Sequence, residues 1–266
     1  MDAKHYTKLE EIPKIVAALR ASFETGKLAS FEARRSVLRK VRDAVEAHAE
    51  DLCDAMARDL GKPRQEAWME VLLVSNGVND TLAHLEEWLA PEFPTVPLHA
   101  KMDKCQIRKE PLGIVLNISP FNYPLQLALL PAMGAIAAGN PTALKLPEST
   151  PAVSLCLGSI LADAVDSSLL AVVQGAVAHG QALLSQRWDH IFYTGSTRVG
   201  RIVMQAAAKH LTPVTLELGG KSPAILLKGA QDYTIVAQRI AWGRYSNCGQ
   251  VCFSCGGGRV VDCRVA

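Results

Sequence analysis

The 266-residue sequence lacks an excess of charge of either sign, and it lacks a secretory leader. Lysine and arginine number 28 against 26 aspartate and glutamate residues, and neither sign forms a long block. This balance argues against an extended nucleic-acid surface, so the predicted partners are small molecules or other subunits and not nucleic acid. The charged start MDAKHYTKLEEIPK has no apolar core, which predicts a reducing, cytoplasmic location.

Charged residues are missing altogether between Pro111 and Leu144, which raises the question of a membrane span. The segments SPFNYP and GNP interrupt this stretch with prolines and asparagines, whose polar groups would be costly in lipid. The pattern therefore favours a buried strand, a loop and a core helix, with no membrane segment in this chain.

Two periodicities divide the chain. Helical stripes of apolar residues run from Leu9 to Phe23, from Leu38 to Met56 and from Trp68 to Leu89. From Gly113 onward, short apolar strands alternate with helices, which predicts an α/β fold with a doubly wound, mostly parallel sheet that binds ligands at the carboxyl ends of its strands. The predicted strands are GIVLNIS, TALKL, LAVVQG, HIFYTG and PVTLEL, and the predicted helices between them include YPLQLALLPAMGAIAAG, AVSLCLGSILADAV, ALLSQRW and RVGRIVMQAAAKH.

The dinucleotide fingerprint GxGxxG is also absent, but two other features suit a nucleotide. After HIFYTG stands GSTRVG, residues 195–200, a strand-to-helix turn whose first N–H groups could hold a phosphate. An ordinary turn and helix cap would use the same residue types. Lys145 and Glu148 stand at the carboxyl end of the strand TALKL, where they could hold a ribose or serve equally well as a surface lysine and a helix start.

Two further polar residues stand at the carboxyl ends of predicted strands, Asn122 directly after one and Glu217 at the end of another. Asn122 stands in SPFNYP, where its amide must be satisfied either by a turn or by a reacting oxygen, as in an oxyanion hole. Glu217 lies between Leu216 and Leu218 in LELGGKSP. A carboxylate in apolar surroundings tends to have a raised pKa and can act as a general base, although it could also cap the next turn.

Cysteines are scattered except near the end of the chain, which is a poor plan for a disulfide framework. In NCGQVCFSCGGG, Cys248, Cys252 and Cys255 fit the C-x3-C-x2-C spacing of a radical SAM iron–sulfur site. Cys263 could complete a zinc site. The other hypothesis is a single nucleophilic cysteine in a loop of small residues. The glycine run that follows predicts backbone with little reason to order.

In this order, SPFNYP, the Lys145 and Glu148 pair, YTGSTRVG, LELGGKSP and NCGQVC resemble the aldehyde dehydrogenase superfamily, and most of all its class 3 branch for fatty and aromatic aldehydes. The similarity runs from about residue 10 to Cys252. The resemblance implies oxidation of a small-molecule aldehyde to a carboxylic acid through a thiohemiacetal and a thioester, with NAD or NADP as the cofactor, in a homodimer. The residue roles that it implies are Cys252 as nucleophile, Glu217 as base, Asn122 as oxyanion donor, Lys145 and Glu148 on the ribose, and Gly195, Ser196, Val199 and Gly200 along the pyrophosphate.

By the same resemblance, residues 1–100 are a helical region packing on the nucleotide-binding domain, residues 101–216 are the NAD(P)-binding α/β domain, and residues 217–266 are the start of an α/β catalytic domain. The chain departs from the family from about residue 253, which suggests a truncated or frameshifted gene product. The alternative function is then an inactive nucleotide-binding remnant. KLPE also departs from the family's usual Lys-Pro-Ser-Glu; a glutamate at this place favours NAD over NADP through the ribose hydroxyls.

Overall fold

The computed structural model describes residues 5–97, 105–226 and 232–260, with the backbone alone for 255–260. Cys263, proposed above as a zinc ligand, and the tail beyond residue 260 lie outside the described residues. So do the side chain of Cys255 and the residues that join 97 to 105 and 226 to 232.

Four α-helices fill the first part of the chain, and their buried residues follow the predicted period, although Leu9 and Trp68, which begin two of the predicted stripes, are exposed. Ile12, Val16 and Leu19 are buried in the first helix, and Leu38, Val41, Val45, Leu52 and Met56 are buried in the next two. The second stripe is one helix in the prediction but two in the structure, because His48, at φ −110° and ψ 25°, ends one helix and precedes the next. The helices are α1 (Ile12–Glu24), α2 (Phe31–Ala47), α3 (Ala49–Leu60) and α4 (Arg64–Leu89).

The second part is a five-stranded parallel sheet, as predicted. Its strands are β1 (Val115–Ile118), β2 (Thr142–Lys145), β3 (Leu170–Val173), β4 (His190–Thr194) and β5 (Val214–Glu217). They lie in the order β3-β2-β1-β4-β5, with Val115 opposite both Thr142 and His190. The chain therefore reverses its winding between β1 and β4, and sheets of this kind bind ligands at the carboxyl edge beside such a switch point.

Helices connect the strands: α5 (Gln126–Ala137), α6 (Pro151–Ala164), α7 (Val177–Leu184) and α8 (Thr197–Ala208). The short helix predicted over ALLSQRW lies earlier than expected. It ends at Leu184, and the buried Trp188 follows it and donates its indole N–H to the Leu183 carbonyl at 2.8 Å. The uncharged stretch forms β1, a loop and the largely buried α5, as predicted. Among the described residues, no helix is long and apolar enough to cross a membrane.

The core has two parts, one on each face of the sheet. On one face α5 and α6 pack against α2, α3 and α4. On the other face, apolar residues of α1, α7 and α8 pack against residues of the four strands β1, β2, β3 and β4. The central strands β1 and β2 are buried on both faces, which is why they read as continuous apolar runs, whereas β4 alternates between buried and half-buried residues and β5 has no fully buried residue.

Beyond β5 the chain forms a second, two-stranded parallel sheet of β6 (Ser222–Leu226) and β7 (Cys255–Val260). Between them lies α9 (Tyr233–Tyr245), followed by a short 3-10 turn at Ser246–Gly249. The expectation that the glycine run does not order was wrong as far as residue 260, because pairing with β6 gives its backbone hydrogen-bond partners.

Candidate functional site

The carboxyl end of β2 carries a close ion pair. Lys145 Nζ lies 2.6 Å from Glu148 Oε2, with the lysine side chain buried and the glutamate half exposed. Burial is the largest influence on the pKa of Glu148 and raises it, but the hydrogen bond from Lys145, a backbone hydrogen bond and the charges of Lys145 and His179 together leave the pKa below its usual value. The two residues predicted to hold a ribose are therefore already paired, with the carboxylate ionised and open to solvent on one side.

The turn from β4 into α8 combines a helix cap with closely packed glycines. The Ser196 hydroxyl caps α8 by accepting from the Val199 N–H at 3.3 Å. A Cβ at Gly195 would overlap the Tyr193 side chain, and one at Gly200 would lie 2.9 Å from Leu218 Cδ2. A helix cap and tight packing therefore account for these residues in the structure. Neither of the two prevents the N–H groups of this turn from also binding a phosphate.

One buried hydroxyl at this edge has no protein partner. Thr194 Oγ1, at the end of β4, makes no hydrogen bond within the described part of the chain although it is shielded from solvent. An unsatisfied buried hydroxyl costs free energy, so its position beside the α8 N-terminus suits a polar ligand.

Asn122 joins the sheet edge to the cysteine loop, defined here as Ser246–Ser254. Its side-chain amide donates to the Gln250 carbonyl at 2.6 Å. Its main-chain carbonyl accepts from Asn247 Nδ2 at 2.9 Å and from Lys62 Nζ at 3.3 Å. The structure therefore brings Asn122 and Cys252 into one neighbourhood although they are far apart in sequence.

The cysteine loop has an unusual backbone. Asn247, Cys248 and Gly249 all have positive φ, at 50°, 56° and 71°. Such a run persists only when the surrounding contacts hold it, and here the buried Asn247 supplies them. Cys248 and Cys252 are exposed free thiols. Among the side chains that the structure describes, no three His, Cys, Asp or Glu residues form a group suited to a metal ion.

Glu217 ends β5, and its main chain accepts from the Gly195 N–H at 3.0 Å. Its side chain is exposed, so the prediction of apolar surroundings was wrong. Of the two glycines after it, only Gly220 has a steric reason, because a Cβ there would overlap the Cys252 carbonyl oxygen, whereas a Cβ at Gly219 would meet nothing within 4 Å. Glu217 thus lies three residues from a point where the backbone meets Cys252, but the structure shows no contact between the two side chains in the described residues.

A buried ion pair next to Asn122 escaped the sequence analysis. Lys62 and Glu70 are 5% and 1% exposed, and Lys62 Nζ donates to Glu70 Oε1. Burial raises the pKa of Glu70, although Lys62 and two backbone N–H groups lower it. Glu70 stands on the buried face of α4 with Ala67 and Val71, and this charge within an apolar stripe is the signal that could have revealed it.

Fold and site geometry together define a doubly wound nucleotide-binding protein with an exposed thiol near the sheet edge. Residues 3–261 match the aldehyde dehydrogenase family model, and the chain belongs to that family. An aldehyde dehydrogenase of Craterostigma plantagineum is 45% identical over 242 residues, which are 90% of this chain and 50% of the relative. Aldehyde dehydrogenase family 3 member H1 of Arabidopsis thaliana is 43% identical over 256 residues, 96% of this chain and 53% of the relative. The predicted class 3 branch is thereby confirmed.

The fold has solved counterparts in the same family. The substrate-bound state of Staphylococcus aureus AldH superposes with a TM-score of 0.90 at 34% identity, covering 94% of this chain and 54% of that chain. The present chain spans about half the length of the curated relatives it matches. Membership of this family also removes the ground for the radical SAM hypothesis, which rested on cysteine spacing alone.

Proposed function

We propose that the protein oxidises an aldehyde to a carboxylic acid with NAD or NADP, using Cys252 as the nucleophile. The observation that carries the proposal is the hydrogen bond of 2.6 Å from the Asn122 amide to the Gln250 carbonyl. It places a side-chain N–H donor at the loop that bears an exposed thiol. A nucleophile and a fixed donor at one place are what addition to a carbonyl group requires.

The sheet edge fits a dinucleotide. Lys145 and Glu148 offer an ammonium and a carboxylate for ribose hydroxyls, and the unpartnered Thr194 hydroxyl and the α8 N-terminus offer donors for phosphates. In this role Gly195 and Gly200 let the backbone pack tightly, and Ser196 and Val199 form the capped first turn. Bound NAD or NADP supplies the acceptor for the hydride that leaves the substrate carbon.

The chain's own residues account for the other steps. The Cys252 thiolate adds to the aldehyde carbon, and the second amide hydrogen of Asn122 is assigned to the oxygen that becomes negative. After the hydride has left, the acyl group is bonded to the Cys252 sulfur as a thioester. Glu217 takes a proton from the water that attacks it, which releases the carboxylic acid and the thiolate. The exposure of Glu217 lets it return that proton to solvent.

The proposal is tested by incubating the purified chain with NAD and a medium-chain or aromatic aldehyde. We expect NADH formation that saturates with both reactants and yields an equal amount of acid. NADH without acid, or no NADH although the nucleotide binds, would contradict the proposed reaction.

One observation favours a second candidate, nucleotide binding without turnover. Helix α9 buries none of its side chains; Trp242 in this helix and Phe253 in the cysteine loop are 74% and 75% exposed. Apolar surface of this kind weakens the support for a catalytic loop. Under this candidate NAD binds to the chain, aldehyde is not consumed, and the loop region melts before the five-stranded sheet.

Replacing Glu148 by glutamine should change the nucleotide preference. The ionised carboxylate can accept from ribose hydroxyls and would repel a 2′-phosphate, so we expect Glu148→Gln to raise the Kd for NAD about tenfold and to lower the Kd for NADP. Titration calorimetry with both nucleotides measures this. The exposed Glu110 supplies a matched control, since Glu110→Gln should change neither Kd. Equal affinities before and after Glu148→Gln would remove Glu148 from the ribose site.

A further inference from the structure

We propose that the buried Lys62–Glu70 ion pair is a positioning device that fixes Asn122 and, through it, the cysteine loop. The inference deepens the proposed function, because it assigns to two residues outside the predicted site the task of aligning the donor and the nucleophile. Neither residue is given a direct part in the reaction.

Glu70 fixes the start of α5. Its Oε1 accepts from Lys62, and its Oε2 accepts from the backbone N–H groups of Leu125 and Gln126, both at 3.1 Å. These N–H groups belong to the helix start, which has no side-chain cap of its own. The carboxylate therefore acts as an N-cap supplied by another helix, and it sets where the loop before α5 ends.

Lys62 holds the loop itself. Its ammonium donates to the Asn122 carbonyl at 3.3 Å and lies 4.6 Å from the centre of the Tyr123 ring. One cation thus contacts two successive residues of SPFNYP. A cation on an aromatic face contributes more when both are shielded from water, and Lys62 is nearly fully buried.

Asn122 passes this constraint to the cysteine loop. Its carbonyl also accepts from Asn247 Nδ2 at 2.9 Å, and its amide donates to the Gln250 carbonyl at 2.6 Å. These two contacts bracket the run of left-handed residues that precedes Cys252. Burial raises the pKa of Tyr123, and the charges of Glu70, Glu66 and Cys252 raise it further, which is consistent with a thiol near this loop.

Stability alone does not explain why the pair is charged. Replacing a buried ion pair by apolar residues of similar size is often neutral or stabilising. Here the same replacement would remove the acceptor for two helix N–H groups and one of the two donors to Asn122. The charges are explained by the hydrogen bonds they make to the loop.

The test compares the double variant Lys62→Met/Glu70→Gln with the unmodified chain. Both charges are removed together so that no buried charge is left unpaired. The exposed pair Arg64–Glu50, which joins the first turns of α4 and α3, supplies the matched control, Arg64→Met/Glu50→Gln. Hydrogen exchange is followed by mass spectrometry in peptides covering residues 119–127, 245–254 and 142–148. Alkylation of Cys252 by iodoacetamide is measured relative to the exposed Cys105.

We expect exchange in 119–127 and 245–254 to become about tenfold faster, as suits the loss of hydrogen bonds to a charged group. Exchange in 142–148 and the Kd for NAD should stay unchanged, and the ratio of Cys252 to Cys105 alkylation should change by a similar factor. The control variant should match the unmodified chain. In turnover, kcat should fall while the KM for NAD is unchanged.

Unchanged exchange in both loop peptides, or an equal rise in all three, would overturn the positioning role. If the double variant does not fold, Lys62→Met alone carries the same test. It removes the donor to the Asn122 carbonyl, while Glu70 keeps both acceptor oxygens and, with a pKa raised by burial, can take up a proton in place of its lost partner. Failure of the unmodified chain to form NADH would count against the proposed function. The exchange and alkylation results would still decide the positioning role, since neither depends on turnover.

Discussion

Replacing Cys252 by alanine should abolish aldehyde-dependent NADH formation, with kcat/KM falling by at least about a thousandfold. An aldehyde has no leaving group, so hydride can depart only after a nucleophile has made the carbon tetrahedral. The exposed Cys252 thiol is next to the loop contact made by Asn122. Because the proposed nucleotide site is at the carboxyl ends of β2 and β4, the Kd for NAD should not change. Absorbance of NADH and titration calorimetry measure the two quantities.

Cys248 and Cys105 provide the controls for this experiment. Both are exposed free thiols, and Cys248 lies in the same loop. Cys248→Ser and Cys105→Ser should keep NADH formation within about twofold, as surface substitutions usually do. If Cys252→Ala turned over like the unmodified chain, or if Cys248→Ser were the inactive variant, Cys252 would not be the nucleophile.

Replacing Glu217 by glutamine should stop the reaction after its first half. We expect steady-state turnover to fall about a hundredfold or more, since a general base contributes in that range. Addition of Cys252 and hydride loss do not need Glu217, so a single burst of NADH should still appear. The enzyme should then carry the acyl group on Cys252, which mass spectrometry of the intact chain detects as an added acyl mass.

The exposed Lys221, four residues further along, gives the comparison. Lys221→Gln should show neither the burst nor the loss of steady-state turnover. If Glu217→Gln lost the burst as well, Glu217 would be needed before the thioester forms and the assigned role would be wrong. An undiminished steady state would show that water is activated elsewhere.

The sheet could be predicted because its strands can be recognised from short stretches of sequence alone. GIVLNIS is buried on both faces, and HIFYTG alternates between buried and half-buried residues; each is a largely apolar run bounded by turn residues, and β1 and β4 lie inside them. The break at His48 could not be predicted, since the apolar stripe continues on both sides of it. Strand β7 was missed for another reason: three glycines have no strand preference, and pairing with β6 decides their conformation.

The site divides in the same way. Most of the predicted residues end a strand or stand in a loop, where chemistry is often carried, and Val199 and Gly200 lie in the first turn of α8. The sequence could not show that Lys62 contacts Asn122 or that Asn122 contacts Gln250, because these pairs are 60 and 128 residues apart. It also misjudged the surroundings of Glu217, because apolar neighbours in sequence do not shield a side chain at the end of an edge strand.

The order of the strands along the chain has a consequence for synthesis on the ribosome. All five strands of the large sheet lie between Val115 and Glu217, and α1 to α4 precede them. Every element needed to cover both faces of that sheet, as far as α8, has therefore been translated before β6 emerges. Domains generally fold as units with the N-terminal part first, so the large sheet can form as a finished surface on which the cysteine loop is later laid down. Asn122 would then be in place before Cys252 leaves the ribosome.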